Sequence, residues 1–295
     1  MSLHPFEQTG VTLDQAYDLC EKLTNTHYEN FSIASWFLPR AKRRYLYSIY
    51  AFCRHVDDIG DVYKGDRLIE LDIWQNDFLK CYGGEPTHPY LIALQDTISK
   101  FGIPEDPFLK LIEANRMDQK ENRYVSYADL EDYCLHSAEP VGQLVLYVFG
   151  YQDHERQALS DYTCRALQLT NFWQDVSRDL SNGRIYIPLE DMKQFGYSEK
   201  DLKDRILDRR FRDLMRFQVG RARHLFRMGT PLVDMVHDDF KLDLILFTRG
   251  GLKILDAIED LDYDVLNNRP VISTFKKVSL MLGTFIKLRI IGRFV

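Results

Sequence analysis

Two stretches of the chain combine acidic side chains with aromatic neighbours. In YAFCRHVDDIGD, Asp57 and Asp61 are four residues apart, and in LQLTNFWQDVSRDL the same spacing separates Asp175 from Asp179. Residues three and four apart stack on one face of a helix, so the carboxylates of each pair should point in one direction. Asp58 lies about 100° round the same helix from Asp57, and a supporting or solvated role is favoured for it.

Two interpretations fit each D-x-x-x-D pattern. A solvent-exposed helix face often carries acids at this spacing, and for a single pair that interpretation is favoured. Here Tyr, Phe, Cys and Trp crowd the acids, whereas an exposed face would usually mix Lys or Glu among them. Two acid pairs that faced each other across a cavity could not all stay ionised without cations. Oxygen ligands without His or Cys favour a hard ion, and Mg²⁺ suits a site that also holds phosphate.

The chemistry that follows is departure of a diphosphate. Carboxylates bind Mg²⁺, Mg²⁺ binds diphosphate, and loss of the neutralised diphosphate generates a carbocation. Aromatic walls would stabilise that cation by cation–π contact and keep stray water out. We therefore predict Mg²⁺ as the cofactor, with the four aspartates as its ligands.

The elements that must position these acids are helices. Apolar residues recur at helical spacing, Gly and Pro separate the segments, and no period-2 run predicts a strand. The helical segments are 13–28, 42–59, 68–82, 127–150, 155–180, 201–228, 232–266 and 272–291. No linker divides the chain, so we predict a single all-α domain over 1–295 with about ten helices.

Pro140 lies inside one of these helical segments. It cannot donate a hydrogen bond to the carbonyl of His136 and should kink the helix there. A bend that improves packing is favoured, and a freed carbonyl facing a cavity is the alternative.

The composition excludes several classes of protein. A net charge of −6 over 295 residues offers no global basic surface, so we expect no nucleic-acid partner. The five cysteines are scattered singly, as in reduced cytosolic proteins. The first residues lack the pattern of a signal peptide, and no apolar run approaches the ~18 residues of a membrane span. We therefore expect a cytoplasmic protein.

The last twenty residues, 276–295, mix apolar side chains with basic charge only. This composition is typical of an interfacial membrane helix, which predicts peripheral contact at the inner face of the cytoplasmic membrane. A final bundle helix whose lysines offset the acidic body is the alternative, and the two are near even.

Several ordered blocks of the chain resemble the squalene/phytoene synthase family, over essentially its whole length. They are HYENFSIASWFLPR, YAFCRHVDDIGD, YCLHSAEPVGQLVL, LQLTNFWQDVSRDLSNGRIYIP and TRGGLKILDAIEDLDYDVLNNRP. The resemblance implies an isoprenoid synthase bundle around a central active-site cavity. It also implies that the two aspartate motifs bind Mg²⁺–diphosphate.

The resemblance assigns further residues by their position in these blocks. Asn171 matches a neighbouring ligand and Arg54 a diphosphate-binding arginine, while Gln168 matches an amide on the substrate side. Tyr50 and Tyr133 match tyrosines of the cavity. Further candidates for substrate binding are His27, Asn30, Phe31, Arg184, Tyr186, Arg269 and Lys277. Arg184 and Tyr186 follow the second acid helix in a loop that is either a mobile flap over the diphosphate or a plain turn.

Within the family, the blocks look most like the bacterial hydroxysqualene synthase branch of hopanoid-type pathways. Members that join two prenyl diphosphates tend to carry a lysine in the segment equivalent to 27–31 and an arginine just before the second acid pair. Here those positions are Glu29 and Gln174. A site without these charges is less suited to a second diphosphate, although Arg184, Lys42 or Arg40 could compensate.

The resemblance thus implies an enzyme that converts presqualene diphosphate and water into hydroxysqualene and diphosphate. One alternative is condensation of two farnesyl or geranylgeranyl diphosphates to presqualene diphosphate, squalene or phytoene. Another, of a different class, is a non-catalytic helical scaffold. The expected partners are presqualene diphosphate or another prenyl diphosphate, and other enzymes of the pathway.

Overall fold

The computed structural model describes residues 10–26 and 39–271, which are largely helical. Their α-helices are α1 (Leu13–Thr26), α2 (Arg40–Asp61), α3 (Arg67–Leu79), α4 (Pro89–Phe101), α5 (Asp106–Met117), α6 (Tyr127–Ser137), α7 (Glu139–Phe149), α8 (His154–Gln174), α9 (Val176–Ser181), α10 (Leu189–Gln194), α11 (Glu199–Lys203), α12 (Arg209–Gly229) and α13 (Asp238–Asp260). Within the described residues, two 3₁₀ helices cover Lys80–Tyr82 and Thr230–Met235. The described residues form no β-strand, only an isolated bridge between Arg123 and Ile185. The prediction of an all-α protein is confirmed.

Contacts divide the chain into two compact units. Unit 1 contains the described residues up to Lys120 together with Pro140–Gln157. Unit 2 contains Glu121–Glu139 and the described residues from Ala158 onward. The single domain over 1–295 stays a prediction, because a compact unit of contacts need not be an independent domain.

Helix α2 is the centre of unit 1, where it contacts α1, α3, α4 and α5. It buries Ile49, Phe52 and Val56, which recur at helical spacing. The Phe52 ring lies 5.2 Å from that of Phe78 and 5.0 Å from that of Phe108. This aromatic core packs against the face of α2 that is turned away from Asp57 and Asp61.

In unit 2, three helices approach closely at Gly251 of α13. A Cβ atom at this position would lie 2.4 Å from the ring of Phe226 on α12 and 3.0 Å from the side chain of Leu167 on α8. Only glycine fits such a contact without displacing a neighbour. The contact anchors α8, the helix that leads into the second acid pair.

Several predicted helix boundaries differ from the structure. The predicted kink at Pro140 is observed as a break just before it, because α6 ends at Ser137 and α7 begins at Glu139. The predicted helix 155–180 is broken at Asp175, which separates α8 from α9. The predicted helix 201–228 is also divided, because Arg205 adopts a positive φ of 52°.

The remaining differences concern helix length and helices that were not predicted. The segment 232–266 forms a helix only over Asp238–Asp260, since the chain turns through positive φ at Asp262 and Tyr263. Helices α4, α5 and α10 lie in segments for which the pattern named no helix. The predicted helix 272–291 lies outside the described residues.

No helix among residues 10–26 and 39–271 combines the length and the apolar character that crossing a membrane requires.

Candidate active site

The first acid pair lies in the last turns of α2, in unit 1. Asp57 is accessible to solvent, and its Oδ1 accepts a hydrogen bond from Nδ2 of Asn115 on α5 at 3.3 Å. Desolvation by surrounding protein atoms raises the pKa of the Asp57 carboxyl to about 7. The Asn115 hydrogen bond opposes this rise, and repulsion from Asp61 adds to it. Accessibility combined with strong desolvation is typical of a carboxylate in a recess, where a bound cation would favour its ionised form.

The other predicted site residues on α2 are Arg54 and Tyr50. Nη2 of Arg54 lies 2.6 Å from Oδ1 of Asp58, one turn later on the same helix. The Asp58 carboxylate therefore neutralises the positive charge of Arg54 when no other anion is bound to this arginine. Tyr50 is half-buried, and burial raises the pKa of its phenol. The phenol thus stays protonated at neutral pH.

The second acid pair lies at the break between α8 and α9, in unit 2. The amide of Asp175 donates to the carbonyl of Asn171 at 2.9 Å, and the amide of Asp179 donates to the carbonyl of Asp175 at 2.9 Å. These i to i−4 bonds carry the helical register across the break. The D-x-x-x-D spacing therefore keeps the two carboxylates on one face even though the helix is interrupted.

Arg269 forms an ion pair with Asp175, the first acid of the second acid pair. Its Nε lies 2.5 Å from Oδ1 of Asp175, and its Nη2 lies 3.2 Å from Oδ2. This two-bond arrangement is the strongest geometry between guanidinium and carboxylate, and it also suits phosphate. The predicted acid and the predicted basic residue, 94 residues apart, are thus brought together.

An open depression of about 620 Å³ lies beside the second acid pair. Both acids line it, together with Arg178 and Arg205. Ser177, Ser181 and Asn182 complete the lining. The depression therefore offers carboxylates, guanidinium groups and hydroxyls in one polar surface within unit 2.

Aromatic rings pack together next to these acids. Tyr186 stacks on Phe172 with ring centroids 3.9 Å apart and an interplanar angle of 7°. Tyr133 lies 6.1 Å from Phe172 and 5.9 Å from Tyr186, and Tyr124 lies 5.7 Å from Tyr186. Tyr133 of α6 and Tyr186 of the loop, both predicted site residues, are buried. Their ring distances place them in one aromatic cluster.

The loop that carries Arg184 and Tyr186 is tethered. The amide of Ile185 donates to the carbonyl of Asn122 at 3.0 Å. Nη1 of Arg123 donates to the carbonyl of Gly183 at 2.6 Å, and its Nε donates to Glu199 at 3.1 Å. These bonds favour the plain turn over the mobile flap among the two interpretations of this loop.

The other predicted residues lie in or outside the same region. Gln168 is half-buried on α8, and Asn171 is exposed one turn before Asp175. Four predicted substrate-binding residues lie outside the described residues, as does the predicted membrane tail 276–295. They are His27, Asn30, Phe31 and Lys277.

Comparison with known proteins decides the family. The model of the squalene/phytoene synthase family matches residues 24–276. The chain belongs to the squalene/phytoene synthase family. The phytoene synthase of Arthrospira platensis is 33% identical over 94% of this chain and 95% of its own. The 15-cis-phytoene synthase of Synechococcus elongatus is 32% identical over 90% of this chain and 91% of its own.

Solved structures of this family share the fold. The squalene synthase HpnC of Alicyclobacillus acidocaldarius is 45% identical, with a TM-score of 0.84 over 86% of this chain and 97% of its own. A dehydrosqualene synthase crystallised with a ligand is 25% identical, with a TM-score of 0.86 over 94% of this chain and 98% of its own. The isoprenoid synthase fold predicted from the blocks is thereby confirmed. Members of the family are isoprenoid synthases and act on prenyl diphosphates.

The donor set of this family member suits Mg²⁺ held jointly with a phosphate. Among the described residues, no group of three or more His, Cys, Asp or Glu side chains is arranged to hold a metal ion. Each acid pair supplies two carboxylates. Mg²⁺ typically takes one or two protein carboxylates and completes its octahedron with water and substrate phosphate oxygens. The acid pairs fit that requirement, and they do not fit a metal that needs a complete protein cage.

Two residues that sequence reasoning missed contribute to the site. Asn115 contacts Asp57 from α5, and Arg205 lines the depression beside Asp175. Neither belongs to a block that carries the family resemblance. No helix was predicted over the segment that contains Asn115, and Arg205 lies in a turn that interrupts the predicted helix 201–228.

Proposed function

We propose that this protein is a hydroxysqualene synthase, which converts presqualene diphosphate and water into hydroxysqualene and diphosphate. The C–O bond to the diphosphate breaks, and the electron pair leaves with the diphosphate. The resulting cation rearranges, water adds to it, and a proton is released. No reductant is required, because water is the nucleophile.

The observation that carries this proposal is the environment of Gln174. The side chain is buried, and its Nε2 donates to the carbonyl of Pro270 at 2.6 Å. Members that join two prenyl diphosphates tend to place an arginine at this position. Here a neutral amide anchors the segment that carries Arg269, and it adds no positive charge for a second diphosphate. The 45% identity to the squalene synthase HpnC of A. acidocaldarius supports the same branch of the family.

The residues that would act on the substrate follow from their chemistry. Each acid pair would hold Mg²⁺, which supplies charge neutralisation of the diphosphate leaving group. Arg269 would bind phosphate oxygens through its planar pair of N–H groups, and Arg54 would do so from α2. Ring faces of Tyr133, Phe172 and Tyr186 that are not stacked on a neighbouring ring would stabilise a carbocation by cation–π contact.

Condensation of two prenyl diphosphates is the second candidate function. It is favoured by the identity of 33% and 32% to two cyanobacterial phytoene synthases over nearly the whole chain. A non-catalytic scaffold is the third. The acid pairs argue against it, because a scaffold does not require carboxylates at the spacing of a metal site.

One assay separates these functions. The purified protein with Mg²⁺ is incubated separately with presqualene diphosphate, farnesyl diphosphate and geranylgeranyl diphosphate, and the lipid products are identified by mass spectrometry. We expect presqualene diphosphate alone to be consumed, with hydroxysqualene as product. Incubation in ¹⁸O-labelled water should place the label in the hydroxyl group. Consumption of farnesyl or geranylgeranyl diphosphate with presqualene diphosphate left intact would rule out the proposed reaction.

Arg269 provides a second test. Arg269→Gln should weaken binding of inorganic diphosphate with Mg²⁺ by about tenfold or more, because a charge-assisted pair contributes roughly 1.5–3 kcal/mol. Arg269→Lys should retain part of the affinity, since a lysine keeps the positive charge and loses the two parallel N–H donors of the guanidinium group. Both can be measured by isothermal titration calorimetry.

Arg209→Gln is the matched control for this test, because that arginine is exposed at the start of α12 and pairs only with Asp213 among the described residues. Its diphosphate affinity should equal that of the wild type. Equal affinity in Arg269→Gln would exclude Arg269 from the diphosphate site.

A further inference from the structure

The end of α2 is an unfavourable place for acids. The carbonyl groups at a helix C-terminus carry partial negative charge, which favours cations there. Instead α2 ends with Asp57, Asp58 and Asp61, and its last turn contains no basic residue. The last carbonyls of a helix also lack intrahelical donors. Something outside α2 must therefore hold this end in place.

Helix α5 supplies one part of that support through Asn115. Its Nδ2 donates to Oδ1 of Asp57 at 3.3 Å and to the carbonyl of Leu111 at 3.2 Å. The second bond, within α5, fixes the direction of the amide. The first engages one of the two carboxylate oxygens of Asp57. Oδ2 makes no such bond with Asn115 and would be the oxygen available to a metal ion.

Gly60 is the position that lets Asn115 come so close. A Cβ atom built on Gly60 would lie 2.1 Å from Oδ1 of Asn115 and 3.1 Å from its Cγ. Any larger residue would push the amide away from α2. The glycine in the DDIGD motif thus allows the Asn115 amide to pack against the backbone between the two acids.

Gln119 and Arg67 complete the support of the same end. Nε2 of Gln119 donates to the carbonyl of Gly60 at 3.1 Å, and Nη2 of Arg67 donates to the carbonyl of Asp61 at 3.0 Å. Arg67 also donates to Oε1 of Gln119 at 3.2 Å, which links the two. Two terminal carbonyls of α2 are therefore capped by side chains from outside the helix.

We propose that Asn115 is a positioning residue that orients the Asp57 carboxylate for metal binding, and that Gly60 is a glycine because it must admit the Asn115 side chain. The inference rests on the metal role of the acid pairs in the proposed function, but not on which prenyl diphosphate is the substrate. Partners that orient a metal ligand typically contribute 10–100-fold to metal affinity.

The test measures Mn²⁺ binding to the full-length protein by electron paramagnetic resonance, with inorganic diphosphate present to supply the remaining oxygen ligands. Asn115→Ala should weaken Mn²⁺ binding by about tenfold or more. Its thermal midpoint should fall no more than that of Gln119→Ala, which removes a helix cap. Asn76→Ala, at an exposed asparagine of α3, is the matched control and should bind Mn²⁺ as the wild type does. Unchanged affinity in Asn115→Ala would overturn the proposal.

A double-mutant cycle tests the role of Gly60 separately. Gly60→Ala alone should weaken Mn²⁺ binding to a similar extent, because it displaces the amide. In the Asn115→Ala background the same substitution should add little, because the clash is gone. An equal further loss in that background would mean that Gly60 acts through α2 itself, which contradicts the inference. A wild-type protein that binds no Mn²⁺ in the presence of diphosphate would instead refute the metal role itself.

Discussion

Asp57→Asn and Asp175→Asn should each reduce turnover by on the order of a thousandfold while the protein stays folded. Each substitution removes one negative ligand from an acid pair. The charge stabilisation that a metal gives to a departing group amounts to several kcal/mol, and each 1.4 kcal/mol is about tenfold in rate. The measurement is kcat with the substrate identified by the product assay, across a range of Mg²⁺ concentrations. Retained turnover in both variants would refute the metal role of the acid pairs.

Stability should respond differently from activity in these variants. Asp57→Asn removes a carboxyl whose pKa is raised to about 7 by desolvation, so its thermal midpoint at pH 8 should equal or exceed that of the wild type. Asp175→Asn weakens a partly exposed pair with Arg269, which contributes roughly 0–1 kcal/mol. Asp58→Asn is the matched comparison within α2, because Asp58 pairs with Arg54 and does not share the helix face of Asp57 and Asp61. Its turnover should fall by less than about tenfold.

The second large effect concerns stability and involves Asp243 of α13. This carboxylate is fully buried, and neither oxygen has a hydrogen-bond partner among the residues that the structure describes. Burial raises its pKa to about 7, with a smaller contribution from Asp239. The folded protein therefore holds a proton on Asp243 at pH values where the unfolded chain has lost it.

The sign of the pH dependence follows from this raised pKa. Below the unfolded pKa of about 3.9, both states are protonated and the group contributes no penalty. Between that pH and about 7, the folded state binds more protons than the unfolded state, so stability falls as pH rises. Above about 7 the full penalty for burying the charge applies. Asp243 therefore destabilises the protein more at pH 8 than at pH 5.

Asp243→Asn should accordingly stabilise the protein at pH 8 and do so much less at pH 5. The difference between the two gains should be roughly 2–3 kcal/mol, at about 1.4 kcal/mol for each pH unit between 5 and 7. The measurement is the free energy of unfolding from urea titrations at both pH values. Asp260→Asn, at an exposed carboxylate at the end of the same helix, should show no such difference. A gain that is the same at both pH values would mean that Asp243 is not protonated in the folded state.

Much of the fold could be predicted from local patterns. Helical spacing predicted α1 and α2, and Pro140 predicted the kink between α6 and α7, because apolar periodicity and the missing proline donor act within a few residues. Boundaries were less predictable. The break at Asp175 and the turn at Arg205 occur inside apolar patterns, where the path of the chain depends on packing partners that periodicity does not reveal.

For the site, the sequence alone determined which acids share a helix face, since positions four apart on a helix are neighbours in any tertiary structure. It also carried the family blocks. The tertiary structure decided which distant groups contact these acids, namely Asn115 at Asp57 and Arg269 at Asp175. Those contacts join residues up to 94 positions apart. They depend on how helices pack and where loops return, which the spacing of residues along a single helix cannot specify.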